Sequence, residues 1–117
     1  MSVVERYLDR MVAHDWHGVA ATLAVDVVRN GPYRDDFHGR DDYVAFLRST
    51  FAWMQDYEMR VARVWGDDDG RVCAELSETV TLDGKRLRTD EAIVFDLRDG
   101  LIGRVQVFLQ RSHTPDG

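Results

Sequence analysis

Apolar side chains recur at Val4, Tyr7, Leu8, Met11 and Val12, the i, i+3, i+4, i+7, i+8 spacing of a helix with one buried stripe. A shorter helix is expected through "HGVAATL". "DVVRNGP" then reads as a strand that stops at Gly31-Pro32, because proline cannot continue a ladder and glycine marks a turn. A third helix follows in "GRDDYVAFLRSTFAWMQ", with Val44, Leu47, Phe51 and Met54 on one stripe and Asp41 and Asp42 near its positive N-terminal end. Beyond it the period changes from helical to alternating. The segments "EMRVARVWG", "GRVCAELSETVTL", "KRLRTDEAIVFDLR" and "LIGRVQVFLQR" are strands separated by "DDDG", "DG" and "RDG", which signal hairpins. Helices first and an antiparallel meander after them predict an α+β fold, with the helices gathered on one face of a curved sheet.

Two residues break the alternation. In "RVCAELSETVTL", residues 71–82, Val72, Ala74, Leu76, Val80 and Leu82 form the apolar face, and Glu78 falls in phase with them. In "RLRTDEAIVFDL" the apolar face is Leu87, Ile93, Phe95 and Leu97, and Glu91 lies among them with Thr89. Alternation places Asp90 and Arg88 on the opposite face, as a surface or interfacial ion pair. A one-residue bulge would exchange the two faces and bring Asp90 inward instead.

Composition narrows the class of protein. The chain has 117 residues, enough for one core, so a single domain over 1–117 is expected, with its core at about 3–110. It is 44% hydrophobic and 31% charged, as globular chains are. A net charge of -6 with scattered basic residues argues against nucleic acid as a partner. No window approaches the roughly 18 apolar residues of a membrane span, and the N-terminus lacks the pattern of a secretion signal, so a cytoplasmic location is expected. The single cysteine, Cys73, has no partner for an internal disulfide and no metal-site spacing, so it reads as a packing residue and no metal or organic cofactor is expected.

Two glutamates on a buried face carry chemical meaning. A buried carboxylate is costly when ionised, so it finds a partner or keeps its proton. If Glu78 and Glu91 approach each other, like-charge repulsion raises at least one apparent pKa and the pair divides into an acid and a base. Tyr7, on the stripe of the first helix, would place a hydroxyl in the same space. Asn30, read as sharing a strand face with Val28, would offer an amide to a substrate carbonyl or a water. These four are the candidate catalytic residues.

The element order, the "AHDWHGVAATLAVDVV" opening, the "NGP" turn, the "GRDDYVAFL" helix start and the "FDLRDGLIGRVQVF" ending resemble the SnoaL-like branch of the nuclear transport factor 2-like superfamily over residues 3–110. The resemblance implies a cone-shaped curved antiparallel sheet wrapped by three N-terminal helices, with a pocket inside and a homodimer formed through the outer sheet face. Set against ketosteroid isomerases, Glu91 matches the protonated acid of the oxyanion hole and Tyr7 its other donor. Their base falls near Asn30 or Gly31, neither of which is a carboxylate. Set against limonene epoxide hydrolases, Asn30 matches the water-holding asparagine and Glu78 the acid that protonates the epoxide. Their arginine, tyrosine and water-activating aspartate fall at Leu76, Val28 and near Val107.

The expected function is therefore a cofactor-free general acid/base enzyme, isomerase or cyclase in type, acting on a hydrophobic carbonyl-containing small molecule. The alternatives are an epoxide-hydrolase-like enzyme, a non-catalytic ligand binder, and a dimerisation domain whose working surface is the outer face at Arg104, Gln106, Phe108 and Gln110.

Overall fold

The computed structural model describes residues 2–33, 35–110 and 112–114. Helices α1 (Val3–Val12), α2 (Trp16–Ala20) and α3 (Arg40–Trp53) accompany strands β1 (Leu23–Asn30), β2 (Phe37–His38), β3 (Gln55–Gly66), β4 (Arg71–Leu82), β5 (Lys85–Arg98) and β6 (Leu101–Leu109). The strands form one sheet in the order β2-β1-β6-β5-β4-β3. β1 and β6 run parallel and the other neighbours are antiparallel. This is an α+β protein with three helices packed on one side of a six-stranded curved sheet.

Local chemistry accounts for the ends of these elements. Ser2 caps α1, its hydroxyl accepting from the Glu5 amide while the Glu5 carboxylate accepts from the Ser2 amide, so two otherwise free donors at the helix start are satisfied. The β4–β5 turn places Asp83 and Gly84 at φ 50° and 75°, and the β5–β6 turn places Asp99 and Gly100 at 54° and 78°. Positive φ at both central residues matches the twist of a hairpin, which is why Asp-Gly serves there.

The core lies between helices and sheet. Val4, Tyr7, Leu8 and Met11 of α1, and Tyr43, Leu47 and Phe51 of α3, bury against Val72, Ala74, Leu76, Ile93, Phe95, Ile102 and Val105. β4 and β5 pair without interruption from Arg71 opposite Asp96 to Leu82 opposite Lys85. β3 carries irregularities against β4 between Gln55 and Glu58 and between Val61 and Arg63, β6 carries one between Ile102 and Arg104 opposite Asp96 and Leu97 of β5, and β1 carries one between Leu23 and Val28. Such bulges bend a strand, and here they accompany the curvature that opens a cavity under the helices.

Several expectations are corrected. Val12 is 45% exposed, because a residue eight positions after Val4 has rotated about 80° from the stripe at 100° per residue. α2 ends at Ala20 and Leu23 already belongs to β1; the Thr22 hydroxyl donates to the Val19 carbonyl and helps close the helix. β3 begins at Gln55, ahead of the expected Glu58. Leu82, at the end of β4, is 40% exposed. β2 is too short to leave a periodic signal.

Candidate functional site

The uninterrupted register of β4 and β5 fixes which side chains face the helices. Phe95 pairs with Val72, Ile93 with Ala74, Glu91 with Leu76, and Thr89 with Glu78. Paired residues share a face, so Glu78 and Glu91 both point inward as diagonal neighbours. Both line a cavity of about 380 Å³ with Tyr7, Arg29, Tyr43, Phe46, Phe51, Ile93 and Val105 among its walls. Asp90 pairs with Ser77 on the outer face, where Arg88 Nε donates to its carboxylate at 2.9 Å. No bulge exchanges the two faces at this point.

Glu91 is 9% exposed. Burial, then the hydrogen bond and charge of Glu78, push its carboxyl up from 4.5 to about 10, against a smaller opposing effect of Arg29. It therefore holds a proton at neutral pH. Tyr57 donates its hydroxyl to Glu78 Oε2. Burial, followed by the charge and hydrogen bond of Glu78, raises the Tyr57 hydroxyl far above its usual range, so Tyr57 keeps the proton it donates to Glu78. The pair is thus a protonated Glu91 beside Glu78, which accepts a hydrogen bond from a phenol.

Tyr7 is 2% exposed, its ring meeting Phe95 edge-on at 5.5 Å. Its hydroxyl is hydrogen-bonded to that of Tyr43, which reaches in from α3. Burial, then Tyr43, raises Tyr7 well above 10. Burial also raises Tyr43, with the Tyr7 bond and Arg29 opposing it. Two neutral hydroxyls and a protonated carboxyl consequently face one apolar space.

Asn30 is not part of this cavity, contrary to expectation. β1 lies beside β6 with Arg29 opposite Val105 and Asn30 opposite Gln106, and the Asn30 amide oxygen accepts from Arg104 Nε at 2.9 Å on the outer face. The error is one of parity. Val27 and Val28 are both apolar, and the set that faces inward is Val27 and Arg29. Arg29, buried on the cavity wall, donates from Nη1 to Asp35 Oδ2 at 2.8 Å. Against the opposing effect of partial burial, the bonds from Arg29 and the Tyr33 amide hold the Asp35 carboxyl below its usual range.

Of the expected residues, Glu78, Glu91 and Tyr7 line one cavity, together with Arg29 and Tyr43, and Tyr57 bonds Glu78; these last three are not among the residues the sequence singles out. A charge in phase with apolar neighbours was the signal for the glutamates, and it marks Arg29 too once the face of β1 is set by Val27. Tyr43 stands four residues before Leu47, on the same helical stripe. Tyr57 was hidden by the late start assigned to its strand. Among the described residues, no cluster of His, Cys, Asp and Glu could hold a metal ion, and no helix is long and apolar enough to cross a membrane.

The three helices on a six-stranded curved sheet form the nuclear transport factor 2-like, ketosteroid isomerase-like fold. The chain belongs to the SnoaL-like domain family, whose model matches residues 4–105. It is similar to a candidate ketosteroid isomerase from Kribbella flavida DSM 17836, at 28% identity and TM-score 0.73 over 97% of this chain and 78% of that one. It is similar to an LEH-like epoxide hydrolase of M. tuberculosis, at 21% identity and TM-score 0.78 over 92% and 80%. A Mycobacterium tuberculosis protein in complex with estradiol-17beta-hemisuccinate shares the fold at 16% identity and TM-score 0.74 over 91% and 89%. No curated protein matches the chain in sequence.

Proposed function

We propose that the protein is a cofactor-free general acid/base enzyme of isomerase or cyclase type, acting on a hydrophobic small molecule that carries a carbonyl group. The observation that carries this reading is the Glu78–Glu91 pair inside an apolar cavity, with one carboxyl held protonated by burial and by the other. In this reading Glu78, steadied by Tyr57, removes a proton from the carbon next to the carbonyl. Glu91, and the hydroxyl of the Tyr7–Tyr43 pair whose proton is not given to the other, donate hydrogen bonds to the oxygen as it gains negative charge. Return of the proton from Glu78 to a different carbon completes an isomerisation. Attack of the same enolate carbon on a second carbonyl within the substrate breaks that C=O π bond and closes a ring, and the alkoxide so formed takes the proton held by Glu78. No electron donor or acceptor is required.

The ligand held by the M. tuberculosis neighbour, a steroid derivative, supports a ligand of this apolar character. Epoxide opening is the weaker reading, because the resemblance to limonene epoxide hydrolases puts their water-activating aspartate near Val107, where this chain has no carboxylate, and Asn30 turns away from the cavity. We also propose that two copies pair through the outer face, where Arg104 and Gln106 flank a Phe108 that is 55% exposed. Sedimentation of the full chain tests that pairing, and a monomer at micromolar concentration argues against it.

The reaction is tested by deuterium incorporation next to the carbonyl of a panel of hydrophobic ketones in heavy water, followed by proton NMR. The protein should accelerate exchange, and Glu78→Gln and Glu91→Gln should each slow it by about 10²–10⁴-fold, the usual share of general acid/base catalysis. Exchange at the wild-type rate in both variants would remove the glutamates from the mechanism.

A further inference from the structure

Arg29 is a buried cation that the proton chemistry does not use. Its side chain is 10% exposed, and its guanidinium carbon lies 4.7 Å from the centre of the Phe46 ring and 5.9 Å from that of Tyr43. Stacking on two rings fixes the plane of the group. Among the described residues its carboxylate partner is Asp35, reached from Nη1 at 2.8 Å to Oδ2 and at 3.2 Å to the backbone oxygen. Both bonds leave one nitrogen, whereas a guanidinium offers five N–H donors in a fork that matches the two oxygens of a carboxylate. Asp35 is differently placed. It lies between β1 and β2, beside Pro32 and Tyr33 of the cavity wall, and its side chain is 29% exposed. The cation is fixed inside while its counter-ion sits at the rim within reach of water.

We propose that Arg29 is a carboxylate anchor, and that the cavity takes a monocarboxylic acid with an apolar body whose acid group exchanges with that of Asp35. The proposal rests on the preceding reading only in taking this cavity as the ligand site. A buried guanidinium is stable only while paired, so one carboxylate must replace another, and the charge around Arg29 is unchanged by the exchange. Asp35 can regain water when it leaves. The body of the ligand would lie against Leu47, Phe51, Ile93, Val105 and Val107, which line the same space. A single charge is favoured over a phosphate's two because the Glu78–Glu91 pair already supplies negative charge to the cavity and repels a second one. Bonds from Arg29 and the Tyr33 amide keep Asp35 ionised, so it competes with the ligand rather than stepping aside as a neutral acid.

Calorimetric titration of the full chain at pH 7 with 2-naphthoate and with its methyl ester tests this. The acid should bind at least about tenfold more tightly than the ester, the scale of one charge-assisted hydrogen bond. Asp35→Asn should tighten naphthoate severalfold and leave the ester unchanged. Arg29→Lys, which keeps the charge and loses the fork, should weaken naphthoate alone. Equal binding of acid and ester, binding of neither, or equal weakening of both by Asp35→Asn would overturn the anchor. The outcome is separate from that of the exchange assay: an acid preference without ketone exchange leaves the anchor and removes the reaction, and ketone exchange with no acid preference does the reverse.

Discussion

Asp90 and Glu91 are consecutive carboxyl groups on β5, and the sheet sends them to opposite environments. Asp90 faces outward, where the hydrogen bond from Arg88, then that from His113, hold it ionised below its usual range. Glu91 faces inward, where burial and Glu78 hold it protonated. The chemical group is nearly the same in both. Environment alone decides that one is a surface ion and the other a buried acid that keeps its proton.

Substitutions on the two faces should separate just as cleanly. Phe95 is fully buried beneath Tyr7, and Phe95→Ala should cost about 3–5 kcal/mol in urea unfolding, whereas Val94→Ala on the outer face should cost about 1 kcal/mol. Equal costs would mean that the inward face is not the core.

Next in size is the removal of the buried acid. Below about pH 4.5 folded and unfolded chains both keep the Glu91 proton. Above it the unfolded chain releases the proton and the folded chain retains it, so stability falls as pH rises toward about 10. Glu91→Gln abolishes this slope and should stabilise the protein by on the order of 3 kcal/mol at pH 7, with no gain at pH 4. A gain independent of pH would indicate a different cause. Tyr57→Phe, which removes the donor to Glu78, should cost about 1.5–3 kcal/mol by thermal unfolding, and an unchanged midpoint would dismiss that bond.

The smallest effect belongs to the outer acid and has the opposite sign in pH. The folded pKa of Asp90 is depressed, so its contribution is present above the unfolded value of about 3.8 and is lost as pH falls below it. As an exposed ion pair it is worth little, and Asp90→Asn should cost about 0.5 kcal/mol at pH 7. A cost several times larger would blur the distinction between the faces.

The same two strands show why part of the site was legible in the sequence. β4 and β5 pair in strict register, so the period-two pattern placed Glu78 and Glu91 on the right face from residue order alone. β1 does not pair so regularly with β6: its register shifts between Leu23 and Val28, and adjacent valines at 27 and 28 leave the parity open. That ambiguity exchanged Arg29 for Asn30. The Tyr43 hydroxyl is invisible for another reason, since a tyrosine on a buried face reads as packing until its partner across the cavity is known. Helix order and hairpin turns were plain because each rests on contacts close in sequence.

The most direct test of the central claim is a carboxyl-carbon NMR titration of the glutamate side chains, assigned through Glu78→Gln and Glu91→Gln. The account predicts that the Glu91 carboxyl keeps its proton through neutral pH and titrates far above the other glutamates. Titration of Glu91 near the ordinary value of about 4.3 would contradict it.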